Sequence, residues 1–130
     1  MRPIVITAHG SLASALLSTT EMILGPSPSV RAVDFEVGMG VEDLQRRVEA
    51  AMNELGREGR VLLLADIAGG SPSRVAATIA LGRDVDVLTG VNLPMVIAAL
   101  TEADTAAAAA EAARNGIGPY EAVRPTGGLK

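Results

Sequence analysis

Short apolar runs alternate with longer segments of helical period along nearly the whole 130-residue chain, and this alternation constrains the fold more than any other feature. Ile4 to Ala8 is a continuous apolar run, the pattern of a strand buried on both faces. Leu12, Ala15, Leu16, Thr19, Met22 and Ile23 then recur at helical spacing until Gly25 and Pro26 stop them. Val30 to Val37 reads as a second strand. Leu44, Val48, Ala51, Met52 and Leu55 form the stripe of a second helix, closed near Gly56 to Gly59. Val61 to Ala65 is a third strand. Ser71-Pro72 opens a third helix, which carries Val75, Ala76, Ile79 and Ala80 and stops at Gly82, and Val85 to Leu88 is a fourth strand. Asn92 to Leu100 and Thr105 to Arg114 read as helices, and Tyr120 to Val123 as a short last strand before Pro125. Strands alternating with helices imply an α/β, doubly wound fold: a parallel sheet covered by helices on both faces and joined by right-handed crossovers. Residues 1–124 are expected to form a single domain, with 125–130 as a loose C-terminal tail.

Composition narrows the function. Aromatic residues are only 2% against 48% hydrophobic, so the core is expected to be Val, Ile, Leu, Ala and Met. The absence of cysteine removes disulfides, thiolate catalysis and thiolate metal sites, and a single histidine excludes a His-rich metal site within one subunit. The net charge of -4, with Arg and Lys scattered, argues against a nucleic-acid partner, which needs a basic face. No apolar stretch approaches the ~18 residues of a membrane span, so a cytoplasmic protein is the expectation. The run Ala106 to Ala110 reads as an inexpensive, solvent-facing or lightly packed helix.

In open α/β sheets, ligands bind beyond the carboxyl ends of the strands, near the point where strand order reverses. Three features fall at such ends: His9 after strand one, Asp66 after strand three, and Gly69-Gly70-Ser71-Pro72 leading from strand three into its helix. Two glycines permit a tight turn and close approach. Ser71 suits the N-cap and Pro72 the first helical position, so the exposed amides and the positive dipole end would form an anion site. The segment also fits an ordinary capped βα turn. It lacks the Lys-Ser/Thr ending of a Walker loop, and no Gly-x-Gly-x-x-Gly follows strand one. If strands one and three are neighbours, the three features converge. A carboxylate on one ring nitrogen would fix the tautomer and free the other to attack, as a phosphohistidine site requires. Without a carboxylate cluster for metal or a second base, the set suits a transfer relay better than hydrolysis.

Ile4-Val5-Ile6-Thr7-Ala8-His9-Gly10, with Glu21-Met22-Ile23-Leu24-Gly25 after it, resembles the start of the mannose-family enzyme IIA component of the sugar phosphotransferase system. Leu63-Leu64-Ala65-Asp66 with Gly69-Gly70-Ser71-Pro72 resembles its second signature, and Gly90-Val91-Asn92-Leu93-Pro94-Met95 its third. The resemblance implies a four-stranded parallel core with a further antiparallel strand, matching the Tyr120 to Val123 segment, exchanged in a homodimer. It implies that His9 takes a phosphoryl group from the phosphocarrier HPr and passes it to a separate IIB protein, with membrane IIC and IID components involved only indirectly. Asp66 would orient the imidazole, while Gly69, Gly70 and Ser71 would bind the phosphoryl oxygens, with no cofactor and no metal. Two other roles are open: a regulatory module that docks according to its phosphorylation state, and the phosphoryl donor subunit of a dihydroxyacetone kinase. The chain departs from the family pattern at Ala68, where an aromatic residue is usual, and at Arg74, where Asn is common.

Overall fold

The computed structural model describes residues 2–56 and 59–121. Among the described residues nine elements follow one another: β1 (Ile4–His9), α1 (Leu12–Leu24), β2 (Val30–Phe35), α2 (Val41–Glu54), β3 (Val61–Ala65), α3 (Ser71–Gly82), β4 (Val85–Leu88), α4 (Leu93–Thr101) and α5 (Ala106–Asn115). The four strands form one parallel sheet in the order β2-β1-β3-β4. The chain moves outward from β1 to β2, then crosses back over β1 to β3. The order therefore reverses between β1 and β3, the two strands that end at His9 and just before Asp66.

Strand alternation divides the core in two. Ile4, Ile6 and Ala8 of β1 and Leu62 and Leu64 of β3 pack with Ala13 of α1, Met95 and Val96 of α4, and Ala109 and Ala113 of α5. Val5 and Leu63 face the other way, toward Leu44 and Val48 of α2 and Val75 and Ile79 of α3. Both central strands are thus covered on both faces, which is why their sequences read as unbroken apolar runs. Aliphatic and methionine side chains make up the buried hydrophobic set. The alanine run forms α5, where Ala109 is fully buried. With no side chain beyond Cβ, it lets α5 lie close to α4.

Two boundaries differ from the periodicity. β2 ends at Phe35 rather than Val37, because the chain turns there through Gly38 (φ +84°), with the Met39 amide bonded to the Glu36 carbonyl. At the third helix, Gly70 rather than Ser71 occupies the N-cap, and Ser71 is already the first helical residue. Tyr120 and Glu121 carry no regular structure, and the rest of the expected last strand and the tail lie outside the described residues. Among the described residues no helix is long and apolar enough to cross a membrane.

Candidate functional site

His9 is the last residue of β1 and lies beside Phe35, the last residue of β2. Asp66 follows β3 directly, so the parallel register brings its carboxylate under the histidine. Asp66 Oδ2 accepts the His9 backbone amide at 2.9 Å and lies 2.7 Å from ring Nδ1. Burial pushes the Asp66 carboxyl up, but hydrogen bonds from the His9 amide and ring outweigh that and hold it below its ordinary value. An ionised carboxylate can only accept, so Nδ1 carries the hydrogen, and in the neutral ring Nε2 keeps its lone pair. The His9 side chain is 48% exposed while that of Asp66 is 14% exposed, so the carboxylate is shielded and the ring opens to solvent.

The backbone of Asp66 is itself braced. Its carbonyl accepts the Gly90 amide at 2.6 Å, and the Ala65 carbonyl accepts the Val91 amide at 3.1 Å. This accounts physically for the third motif. Gly90 adopts φ +76°, a left-handed conformation that favours glycine, and the β4–α4 loop closes over the end of β3.

Of the sequence-predicted residues, Asp66 and Gly70 stand against the ring, and Gly69 and Ser71 flank Gly70 in the chain. Gly70 packs against the imidazole so closely that a Cβ there would lie 2.7 Å from Cε1. Gly69 takes φ +87°. Its amide donates to Ser73 Oγ at 2.9 Å, and the Gly70 amide donates to the Ile67 carbonyl at 3.3 Å. Among the described residues the amides of Ser71 and Ser73 find no acceptor. The donors left at the start of α3 are therefore those two amides and the half-buried Ser71 hydroxyl.

Two contributors escape a reading of the sequence. Phe35 meets the His9 ring edge-on, with centroids 5.7 Å apart, a contact that depends on strand register. Buried Ser73 ties the glycine turn together. The only signal for it is a hydroxyl residue in the first turn of a helix. Ile67 and Ala68, which lead into the glycine turn, are exposed, and exposed Arg74 pairs with no carboxylate among the described residues. Nor, among those residues, does any group of three or more acidic or histidine side chains stand ready to hold a metal ion.

Residues 3–115 match a family model described as the PTS system fructose IIA component. The chain belongs to this family. It is 36% identical over 102 residues to the PTS system fructose-specific EIIA component of Bacillus subtilis, a match covering 78% of this chain and 70% of that protein. It is 38% identical over 102 residues to the PTS system mannose-specific EIIAB component of Escherichia coli strain K12, covering 78% of this chain but only 32% of that protein. Among solved structures, the mannose/sorbose specific IIA subunit of Enterococcus faecalis superposes with a TM-score of 0.82 at 26% identity, covering 97% of this chain and 100% of that one. The PTS IIA protein associated with the fucose utilization operon of Streptococcus pneumoniae gives a TM-score of 0.82 at 27% identity, covering 91% of this chain and 92% of that one. The IIA family thus has the α/β fold built here, and its members are components of the sugar phosphotransferase system.

Proposed function

We propose that this chain is a cytoplasmic phosphoryl relay in which His9 accepts a phosphoryl group from phosphorylated HPr and passes it to a separate IIB protein in sugar uptake. The observation that carries the reading is the geometry at His9: an ionised carboxylate on Nδ1, a glycine against Cε1, and a half-exposed ring whose Nε2 has no hydrogen-bond partner among the described residues. In the transfer, the Nε2 lone pair attacks phosphorus. The N–P bond of the donor phosphohistidine breaks, and its electron pair returns to the donor ring. Asp66 holds the Nδ1 hydrogen throughout and stabilises the positive charge that develops on the His9 ring. Gly69 and Gly70 shape the turn, and the amide and hydroxyl of Ser71 at the helix N-terminus hold the phosphoryl oxygens. Passing the group on to IIB reverses the same steps.

Half exposure of the ring fits exchange with protein partners that must bring their own reacting groups to Nε2. The reading includes a homodimer and only indirect dealings with membrane IIC and IID components. The test is to incubate the protein with phosphorylated HPr and follow acid-labile phosphate on the chain. Stoichiometric labelling is expected, with none on His9→Ala. Equal labelling of His9→Ala would refute the assignment, because no other histidine is present to take the group.

A further inference from the structure

We infer that Ser73 is a positioning residue for His9, acting through the glycine turn; this rests on the reading of His9 as phosphoryl acceptor. Ser73 is 6% exposed, and its hydroxyl has partners on both sides. It accepts the Gly69 amide at 2.9 Å and donates to the Gly70 carbonyl at 2.9 Å. These two bonds hold the peptide groups on either side of the one that links the glycines. Apart from them, the turn is held by the 3.3 Å bond from the Gly70 amide to Ile67 and the 3.0 Å bond from the Arg74 amide to the Gly70 carbonyl.

The clamp matters because of what Gly70 touches. The imidazole is tethered to Asp66 through Nδ1 and could swing about that hydrogen bond. Cε1 is bonded to both ring nitrogens, so an obstacle at Cε1 limits the swing and fixes the direction of the Nε2 lone pair. Gly70 is that obstacle, with its Cβ position 2.7 Å from Cε1. Ser73 sets where Gly70 stands, and therefore where Nε2 aims. Misplacing a reacting atom by about 1 Å costs up to ~10²-fold in rate. A hydroxyl that served only to stabilise α3 would change the melting temperature but would leave the ring where it is.

The experiment uses the full chain and phosphoramidate, a small donor that phosphorylates imidazole without a partner protein. For Ser73→Ala, a fall of about 10-fold in the rate constant of His9 phosphorylation is expected, with the donor concentration for half-saturation unchanged. Ser73→Thr, which retains the hydroxyl, restores the rate. The single histidine also gives one isolated Hε1 signal. In the wild type it shows a nuclear Overhauser contact to the Gly70 α-protons, and in folded Ser73→Ala that contact weakens. A Ser73→Ala protein labelled at the wild-type rate overturns the inference. So does a folded wild type that lacks the contact, which keeps the test decisive even if Ser73→Ala fails to fold. A wild type that neither phosphoramidate nor HPr labels would instead refute the acceptor reading. Ring placement would then still judge Ser73, and an unchanged contact in Ser73→Ala would overturn its role.

Discussion

At His9 the ring is constrained by contacts of different kinds, so substitutions around it should separate activity from stability. Gly70 has φ -76°, a backbone that alanine adopts freely. On conformational grounds alone, Gly70→Ala would stabilise by about 0.4–1 kcal/mol. Its methyl would, however, lie 2.7 Å from Cε1 and 3.1 Å from the Ile67 side chain, so the imidazole must leave its place over Asp66. Gly70→Ala is therefore expected to remain folded, with its urea midpoint near wild type, while phosphorylation falls by on the order of 10²-fold. Labelling at the wild-type rate would show that ring placement does not limit transfer. Asp66→Asn removes the charge but keeps a polar group under Nδ1. A neutral amide can donate as well as accept, so the tautomer is no longer fixed. A rate loss of about 10²- to 10⁴-fold is expected, with a change in the His9 ring ¹⁵N shifts toward mixed tautomers.

Between elements, the loops at the carboxyl edge of the sheet do the positioning, and Asn92 shows how one loop side chain can serve two helices. Its Oδ1 caps α4 by accepting the Met95 amide at 2.9 Å, and its Nδ2 donates to the Ala113 carbonyl of α5 at 3.0 Å. Asn92→Ala loses both bonds and leaves the Ala113 carbonyl without that donor, an expected destabilisation of about 2–3 kcal/mol. Asn92→Asp keeps the cap and loses only the link to α5, so it should fall between Ala and wild type in urea unfolding. Equal losses for the two variants would place all the energy in the link. The order and approximate extent of all nine elements were legible in the sequence, because helical and strand periods are local. The shift of the third N-cap from Ser71 to Gly70 was not legible. The capping rule sees residue types, whereas the fold satisfies the Gly69 amide with Ser73 from within the helix. Phe35 beside His9 was hidden for a related reason: residues 26 positions apart meet only once β1 and β2 pair in a given register. His9, Asp66 and the glycine turn could be named because each stands at a strand end, but their convergence depended on β1 and β3 being neighbours, which periodicity alone leaves open.

Across the whole molecule, the sheet has an end that carries His9 and an end that is bolted by ion pairs. Opposite His9, where the strands begin, Arg2 donates to Asp86 of β4 at 2.7 Å and to the Arg60 carbonyl at 2.8 Å. Arg60 in turn pairs with Asp84 and, at 3.0 Å, with Asp86. This ties the residues preceding β1 and β3 to β4, across strands that are far apart in sequence. Asp86 is held below its ordinary carboxyl range chiefly by the Arg2 hydrogen bond, against a smaller opposing effect of burial. Asp66 is lowered at the other end by His9. Both carboxyls thus bind protons more weakly folded than unfolded. Their stabilisation is full above the unfolded value near 3.8 and is lost as pH falls below it through the folded values. The chain should therefore lose urea resistance as pH falls below the unfolded carboxyl value near 3.8, and less steeply in high salt at the Arg2–Arg60 end. Asp86→Asn should lower the midpoint at pH 7 and flatten the acid limb while leaving the His9 phosphorylation rate unchanged. Asp66→Asn should flatten the same limb and abolish most of the rate. Because the two carboxylates sit at opposite ends of the strands and share no partner, their effects on stability should add in the double variant. An acid limb as steep in the double variant as in the wild type would show that other groups drive unfolding at low pH.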